Sequence, residues 1–297
     1  MNKVSILDVS LRDGGHRSNF HFENTTLEAM LTLLDNAGID CIEIGYRNGS
    51  IRPIANIGRA GLCDKAYLDA CRSWLTKTMM AVMVHPANVS EVDMQELKDS
   101  GVGLIRICIP RGGVALACPV IDMVKAVGLQ VSVNFIHASQ YLEQDIDAVV
   151  ERAMKHKPDI IYFADSNGSL MPERVKYIYE KYTQRYEAAF GFHAHDNIGM
   201  AQANTLAAIG AGAKYIDASL GGMGKGIGNL KTEFFIAYLH ANKIKKHNLQ
   251  CILDAANYAR QALSIGQELI DMDEFVRGIH DLSTAEVKQF QVDGKLI

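Results

Sequence analysis

The segment QVSVNFIHASQYLEQDIDAVVERAMKHKPDIIYFADSNGSLMPERVKYIYEKYTQRYEAAFGFHAH, Gln130–His195, decides how the chain is read. It holds three short apolar runs, Gln130–His137, Asp159–Ser166 and Ala189–His195. Between them lie Asp145–His156 and Pro172–Tyr186, whose apolar residues recur at helical spacing. The runs are nearly continuous in hydrophobicity, as expected of parallel strands covered on both faces. Strand, helix, strand, helix, strand in succession predicts βαβ units.

The same rhythm extends both ways. Ser5–Leu11, Cys41–Tyr46, Met79–His85 and Leu104–Pro110 precede the segment and Tyr215–Leu220 follows it, which makes eight runs. Thr25–Ala37, Glu91–Ser100, Val120–Val127 and Met200–Gly210 supply further helical patterns. Asn24 stands as an N-cap, Ser90 and Asp93 as a capping pair, and Pro172 at a first helical turn. Eight strands, nearly all followed by a helix, predict an α/β fold, the (β/α)8 TIM barrel. The alternative is an open doubly wound sheet, but no GxGxxG follows the first run. No Pro-, Gly- or Ser-rich linker divides the chain. Past residue 247 the pattern is purely helical: Cys251–Leu263, Gln267–Arg277 and Thr284–Gln291. Residues 1–247 are therefore expected to form the barrel, and 248–297 a C-terminal helical extension packed on it.

Composition narrows the function classes. Of 297 residues, 48% are hydrophobic and 22% charged, which excludes a disordered chain. The formal net charge of −4 and the lack of a basic stripe argue against nucleic acid. The one basic cluster, Lys243, Lys245, Lys246 and His247, reads as a helix end. No apolar run approaches the length of a membrane span. The opening MNKVSILDVSL is strand-like. Six cysteines without a CxxC pair read as reduced, mostly buried thiols of a cytoplasmic protein.

In such a barrel the chemistry sits at the C-terminal ends of the strands. The first run ends in Arg12-Asp13-Gly14-Gly15-His16. This is either a turn with a solvated ion pair or a functional tip. The seventh ends in His193-Ala194-His195, and strand alternation puts both imidazoles on one face. With Asp13 close by around the barrel, two imidazoles and a carboxylate can hold one divalent ion with positions left open. Mixed N/O ligation suits Mn2+ or Mg2+, with Zn2+ and Co2+ as further fits. After the eighth run, Gly221–Asn229 carries five glycines in nine residues. It is a flexible loop that either binds phosphate or delivers Asn229 to the site. Lys225 within it either binds a carboxylate or phosphate or is solvated. His85 and His137 end the third and fifth runs and are candidates for lining the site. His21, His156, His240, His247 and His280 read as surface or structural. Trp74, Met79, Met80 and Met83 read as core.

LRDGGH, FHAHDNIGMAQAN and GMGKGIGN together resemble the DRE-TIM metallolyase superfamily. That pyruvate-carboxyltransferase-like and HMG-CoA-lyase-like group includes 4-hydroxy-2-oxovalerate aldolase. The resemblance spans about residues 3–240. It implies Asp13, His193, His195 and Asn229 as metal ligands, Arg12 as the group steadying an enolate, and Glu43 as the residue holding Arg12. It also implies Asp165 and Ser166 at the oxo-acid site; Arg47, in a second-strand loop unlike the usual aldolase loop, and His137, at the end of the fifth run, are further candidate substrate contacts. RDGGH, in place of the RDGEQ of the synthases, is similar to the aldolase branch, where the His is the base, here His16. Met223 stands where the CoA-thioester lyases carry Cys.

The expected reaction is cleavage of a 4-hydroxy-2-oxo acid to pyruvate and an aldehyde, so the partner is a small 2-oxo acid. Rival readings are a Claisen-type acyltransferase, a CoA-thioester lyase, an oxaloacetate decarboxylase, and a metal-binding barrel without turnover. A class I Schiff base is disfavoured, because no lysine lies inside a strand run. Barrels of this kind often pair through outer helices, so a homodimer is the expected assembly. The C-terminal region is short and lacks a Tyr after Tyr258, so an aldehyde dehydrogenase partner is not expected.

Overall fold

The computed structural model describes residues 4–266 and 272–292. Its parallel strands are β1 (Ser5–Asp8), β2 (Cys41–Tyr46), β3 (Met79–Val84), β4 (Val102–Ile109), β5 (Gln130–Phe135), β6 (Ile160–Asp165), β7 (Ala189–Ala194) and β8 (Tyr215–Ala218). They pair in sequence order and close, with β1 meeting β8 from Ser5↔Tyr215 to Asp8↔Ala218. This is the TIM barrel expected, not an open sheet. The helices are α1 (Asn24–Ala37), α2 (Lys65–Trp74), α3 (Glu91–Asp99), α4 (Val114–Ala126), α5 (Glu143–Met154), α6 (Pro172–Arg185), α7 (Ala201–Gly210), α8 (Thr232–Ala241), α9 (Leu249–Leu263), α10 (Met272–His280) and α11 (Thr284–Val292).

Local chemistry explains the boundaries. Pro172 opens α6, where its missing N–H costs nothing. Ser90 donates its N–H and hydroxyl to Asp93 at the head of α3, both at 2.8 Å. Asn24 is not the cap of α1: it is the first helical residue, and Glu23 holds the cap position without a side-chain bond. α4 starts six residues earlier than the predicted Val120, with Pro119 inside it. Burial of Ala117, Cys118, Val120 and Ile121 outweighs the one hydrogen bond that proline forfeits. α2 was not predicted; Asp64 caps it by accepting from the Tyr67 N–H at 2.8 Å. Of the predicted Gln267–Arg277 helix, residues 267–271 lie outside the described residues.

Strand alternation builds the barrel interior in layers. Leu7, Cys41, Leu104 and Ile160 fill one level within a separate apolar cluster. Two residues further along their strands stand Glu43, Arg106 and Tyr162, joined by Asp217 of β8, none more than 1% exposed. Gly191 of β7 leaves room for this layer, since a Cβ there would lie 2.3 Å from the Tyr162 ring. The main core lies between strands and helices. Met80 belongs to it, whereas Met79 is exposed and Met83 also lines the central cavity. α9 lies against α1 and α8, and α10 and α11 reach over the barrel mouth.

Candidate active site

A cavity of about 520 Å³ opens at the C-terminal ends of the strands. Arg12, Asp13, His16, His85, His137, Ser166, His193 and His195 all line it. Asp13, His193 and His195 each aim one ligand atom at a common point, all within 4.8 Å of one another. The two Nε2 atoms are 3.3 Å apart, and His195 Nε2 lies 3.9 Å from Asp13 Oδ2. Donor atoms about 2.1 Å from one ion sit about 3.0–3.4 Å from each other. The two imidazoles already have that spacing, and Asp13 lies somewhat farther out.

The next shell fixes which nitrogens face inward. His193 Nδ1–H donates to Asp217 Oδ2 at 2.9 Å, and His195 Nδ1–H donates to the Lys225 carbonyl at 3.1 Å. Both Nε2 lone pairs are left for the site. Burial pushes His195 down to about 3, so it is a neutral ligand at pH 7. Burial alone would raise the Asp13 carboxyl, but Arg12 and then the two imidazoles hold it well below the usual range. Asn229 Nδ2 donates to Asp13 Oδ2 at 2.8 Å, while its buried Oδ1 has no partner among the described residues. Such an orphan oxygen beside three ligand atoms is what an ion would satisfy.

A buried ionic chain supports this cluster. Arg12 bonds Asp13 through Nη1 and Glu43 through Nε, both at 2.6 Å. Glu43 Oε2 also meets Arg106 Nη1 at 3.0 Å, and Arg106 Nη2 meets Asp217 Oδ2 at 2.6 Å. Asp217 then holds His193. The Arg106 guanidinium lies 4.4 Å from the Tyr162 ring centroid. Arg106 and Asp217 had no place in the sequence reading. A lone Arg in LIRICI and a lone Asp in YIDA were the available signals. Arg106→Met would leave Glu43 and Asp217 as buried, partly unpaired carboxylates. We expect a loss of about 3–5 kcal/mol in unfolding free energy, read as a lower urea midpoint.

The glycines act by absence of bulk rather than by flexibility. At Gly14 a Cβ would meet the Met223 side chain at 2.6 Å, and at Gly15 the Phe20 ring at 2.5 Å; neither has a positive φ. The loop after β8, expected to be flexible, is fastened. Arg17 donates to the carbonyls of Gly224 and Gly226, both at 2.8 Å, and Asp196 N–H donates to Gly228 O. Several of its own N–H groups are taken by Asp13, Asn197 and Gly222, so it is not a phosphate cradle. It delivers Asn229. Gly224 makes that approach feasible, since a Cβ there would fall 2.4 Å from Asn229 Nδ2 and 2.7 Å from Asp13 Oδ2. Gly224→Ala is expected to weaken Mn2+ binding about 10–100-fold by titration calorimetry, as for other losses next to ligands.

Other expected contacts fall elsewhere. Arg47 points away from the cavity: it bonds Asp93 at 2.9 Å, Glu96, and the Cys63 carbonyl at 2.9 Å. Asp165 folds into its own turn, accepting from Ser169 and Leu170 N–H groups at 3.1 Å, and burial raises it to about 6. Ser166 does line the cavity and accepts from the His137 N–H at 3.0 Å. His16 packs edge-on against Phe20 and Tyr46, and Tyr46 stacks on His85 at 5.2 Å. Burial pushes His16 and His85 each down to about 4. Both ring nitrogens of His85 are buried without a partner among the described residues. Arg277 of α10 also lines the cavity, as do Ser283, Thr284 and Ala285 around the start of α11. Periodicity could not assign these late residues to the mouth. The cysteines are free, and no helix among the described residues is long and apolar enough to cross a membrane.

A TIM barrel with a carboxylate and two imidazoles at its mouth defines the class, and comparison gives the family. The HMGL-like family model matches residues 3–258, and the chain belongs to that family. An oxaloacetate decarboxylase of Mycobacterium tuberculosis is 30% identical over 96% of this chain and 85% of its own. A 4-hydroxy-2-oxovalerate aldolase of Carboxydothermus hydrogenoformans is 32% identical over 80% of this chain and 70% of its own. Among solved structures, the N-terminal domain of a Bacteroides vulgatus protein, assigned provisionally as an aldolase, superposes with a TM-score of 0.85. It is 26% identical, and 97% of each chain is covered. The chain is an enzyme of the lyase class.

Proposed function

We propose that the protein is a divalent-metal-dependent aldolase that cleaves a 4-hydroxy-2-oxo acid to pyruvate and an aldehyde. The observation that carries this is the convergence of Asp13, His193 and His195 in one cavity with the neutral base His16. Asp13, His193 and His195 would hold the ion, with Asn229 Oδ1 as a further donor. Bound there, a divalent ion supplies Lewis-acid polarisation of the 2-oxo group.

The chain's own residues do the rest. His16 accepts the proton of the C4 hydroxyl, the C3–C4 bond breaks to release the aldehyde, and the enolate left behind takes up one proton at C3 to give pyruvate, balancing the proton that His16 removed. Arg12 stands fixed by Asp13 and Glu43, so its charge meets the enolate without reorganising. Ser166 and His137 line the region where the oxo acid would lie. Glu43 acts through Arg12 as a positioning residue. The structural relatives and the aldolase relatives support this reading; so does His16 where the synthase motif RDGEQ has glutamine.

The Mycobacterium tuberculosis relative favours a second reading, decarboxylation of oxaloacetate at the same site. Product analysis separates the two. The aldolase reading predicts one acetaldehyde per pyruvate from 4-hydroxy-2-oxopentanoate. Carbon dioxide from oxaloacetate, with no aldehyde from the hydroxy acid, would replace it with the decarboxylase.

A further inference from the structure

The cavity wall is lopsided in charge. Among the described residues its charged side chains are Arg12, Arg52, Lys225 and Arg277, against Asp13 alone. Arg12 is engaged by Glu43 and Asp13; Arg277 is engaged by Glu274 and by the Ser166 carbonyl. Arg52 and Lys225 have no ion-pair partner among the described residues. They come from different loops, after β2 and after β8, yet both line the one cavity. Desolvation and then Arg277 push Lys225 below the ordinary lysine range, with Asp13 and Glu274 opposing and Arg52 adding a smaller push.

Lys225 is also rooted in the metal-ligand cluster. Its N–H donates to Asp13 Oδ2 at 3.3 Å and its carbonyl accepts from His195 Nδ1 at 3.1 Å. The loop thereby fixes the backbone from which the ammonium enters the cavity. Both side chains are exposed, so water screens them from each other, and they present two solvated cations to an anion that enters the cavity. The carboxylate of the oxo acid is accounted for at the metal end, so the rim serves something else.

We propose that Arg52 and Lys225 bind a second anionic group at the far end of the substrate, so that the aldehyde released carries a carboxylate or a phosphate. The proposal rests on the aldolase reading for which end of the substrate lies where. A methyl-ended substrate would leave both cations in water and use neither.

The test is calorimetric titration of the Mn2+-loaded protein with 2-oxopentanoate, 2-oxoglutarate and 2-oxo-4-phosphonobutanoate. None has the 4-hydroxyl needed for cleavage, so the readout is binding alone. At least one anionic tail is expected to bind about tenfold tighter than the propyl tail. In the Arg52→Met/Lys225→Met double variant that ratio should fall to within about twofold. A better grip on the phosphonate identifies a phosphate, and the reverse a carboxylate. Equal affinity for all three, binding of none, or an unchanged ratio in the double variant overturns the proposal. Equal affinities together with pyruvate release from 4-hydroxy-2-oxopentanoate would remove the rim and keep the aldolase. Tail selectivity without any aldolase turnover would do the opposite.

Discussion

His195→Ala is expected to abolish stoichiometric Mn2+ binding and to lower turnover by roughly 10³-fold or more. Losing an outer partner of a ligand typically costs 10–100-fold in affinity, and losing the ligand itself costs more. Because burial holds His195 neutral, its removal strands no charge, unlike removal of Asp13 beside Arg12. The fold should therefore survive, with an unchanged circular dichroism spectrum. Calorimetry with Mn2+ checks the binding. Wild-type affinity in a folded His195→Ala protein would show that the trio is not the metal site.

His16→Ala is expected to lower kcat/KM by about 10²–10⁴-fold, the range for a positioned general base. The imidazole must be neutral to accept a proton. Burial sets its value at about 4, with Asp13 opposing and Arg12 and Lys225 assisting. Wild-type kcat/KM should thus rise as pH increases through about 4 and stay level above about pH 5, while the variant loses that rising limb. His16→Gln keeps much of the contact with Phe20 and Tyr46 and separates packing from proton transfer. Near-full activity in either variant removes His16 from the mechanism.

The barrel was legible because its strands are buried on both faces and so read as unbroken apolar runs. β6, IIYFAD, has no exposed position. The trio was legible because HAH in a strand leaves its alternation little choice. α2 was not: KAYLDACRSW does bury a stripe of Tyr67, Leu68 and Cys71, but it spans only ten residues and depends on Asp64 for its start. The Arg106–Asp217 link was invisible for a different reason: each residue is an isolated charge in an apolar strand, and only barrel closure brings residues 111 positions apart to 2.6 Å. Arg47 misled because its neighbours in sequence, Gly45 and Tyr46, lie at the strand tip. Its partners Asp93 and Glu96 come from α3, which no local pattern could supply. The loop glycines read as flexibility, whereas Arg17 pins the loop from across the barrel.

The central claim is that a divalent ion at Asp13, His193 and His195 is required for carbon–carbon cleavage. Its most direct test follows pyruvate from 4-hydroxy-2-oxopentanoate through a lactate dehydrogenase couple, first with Mn2+, then with chelator, then with Mn2+ restored. Pyruvate that appears, stops and returns is the predicted result. Pyruvate release unaffected by chelator, or none from this substrate and from its carboxylate- and phosphate-ended analogues with Mn2+ stoichiometrically bound, would contradict it.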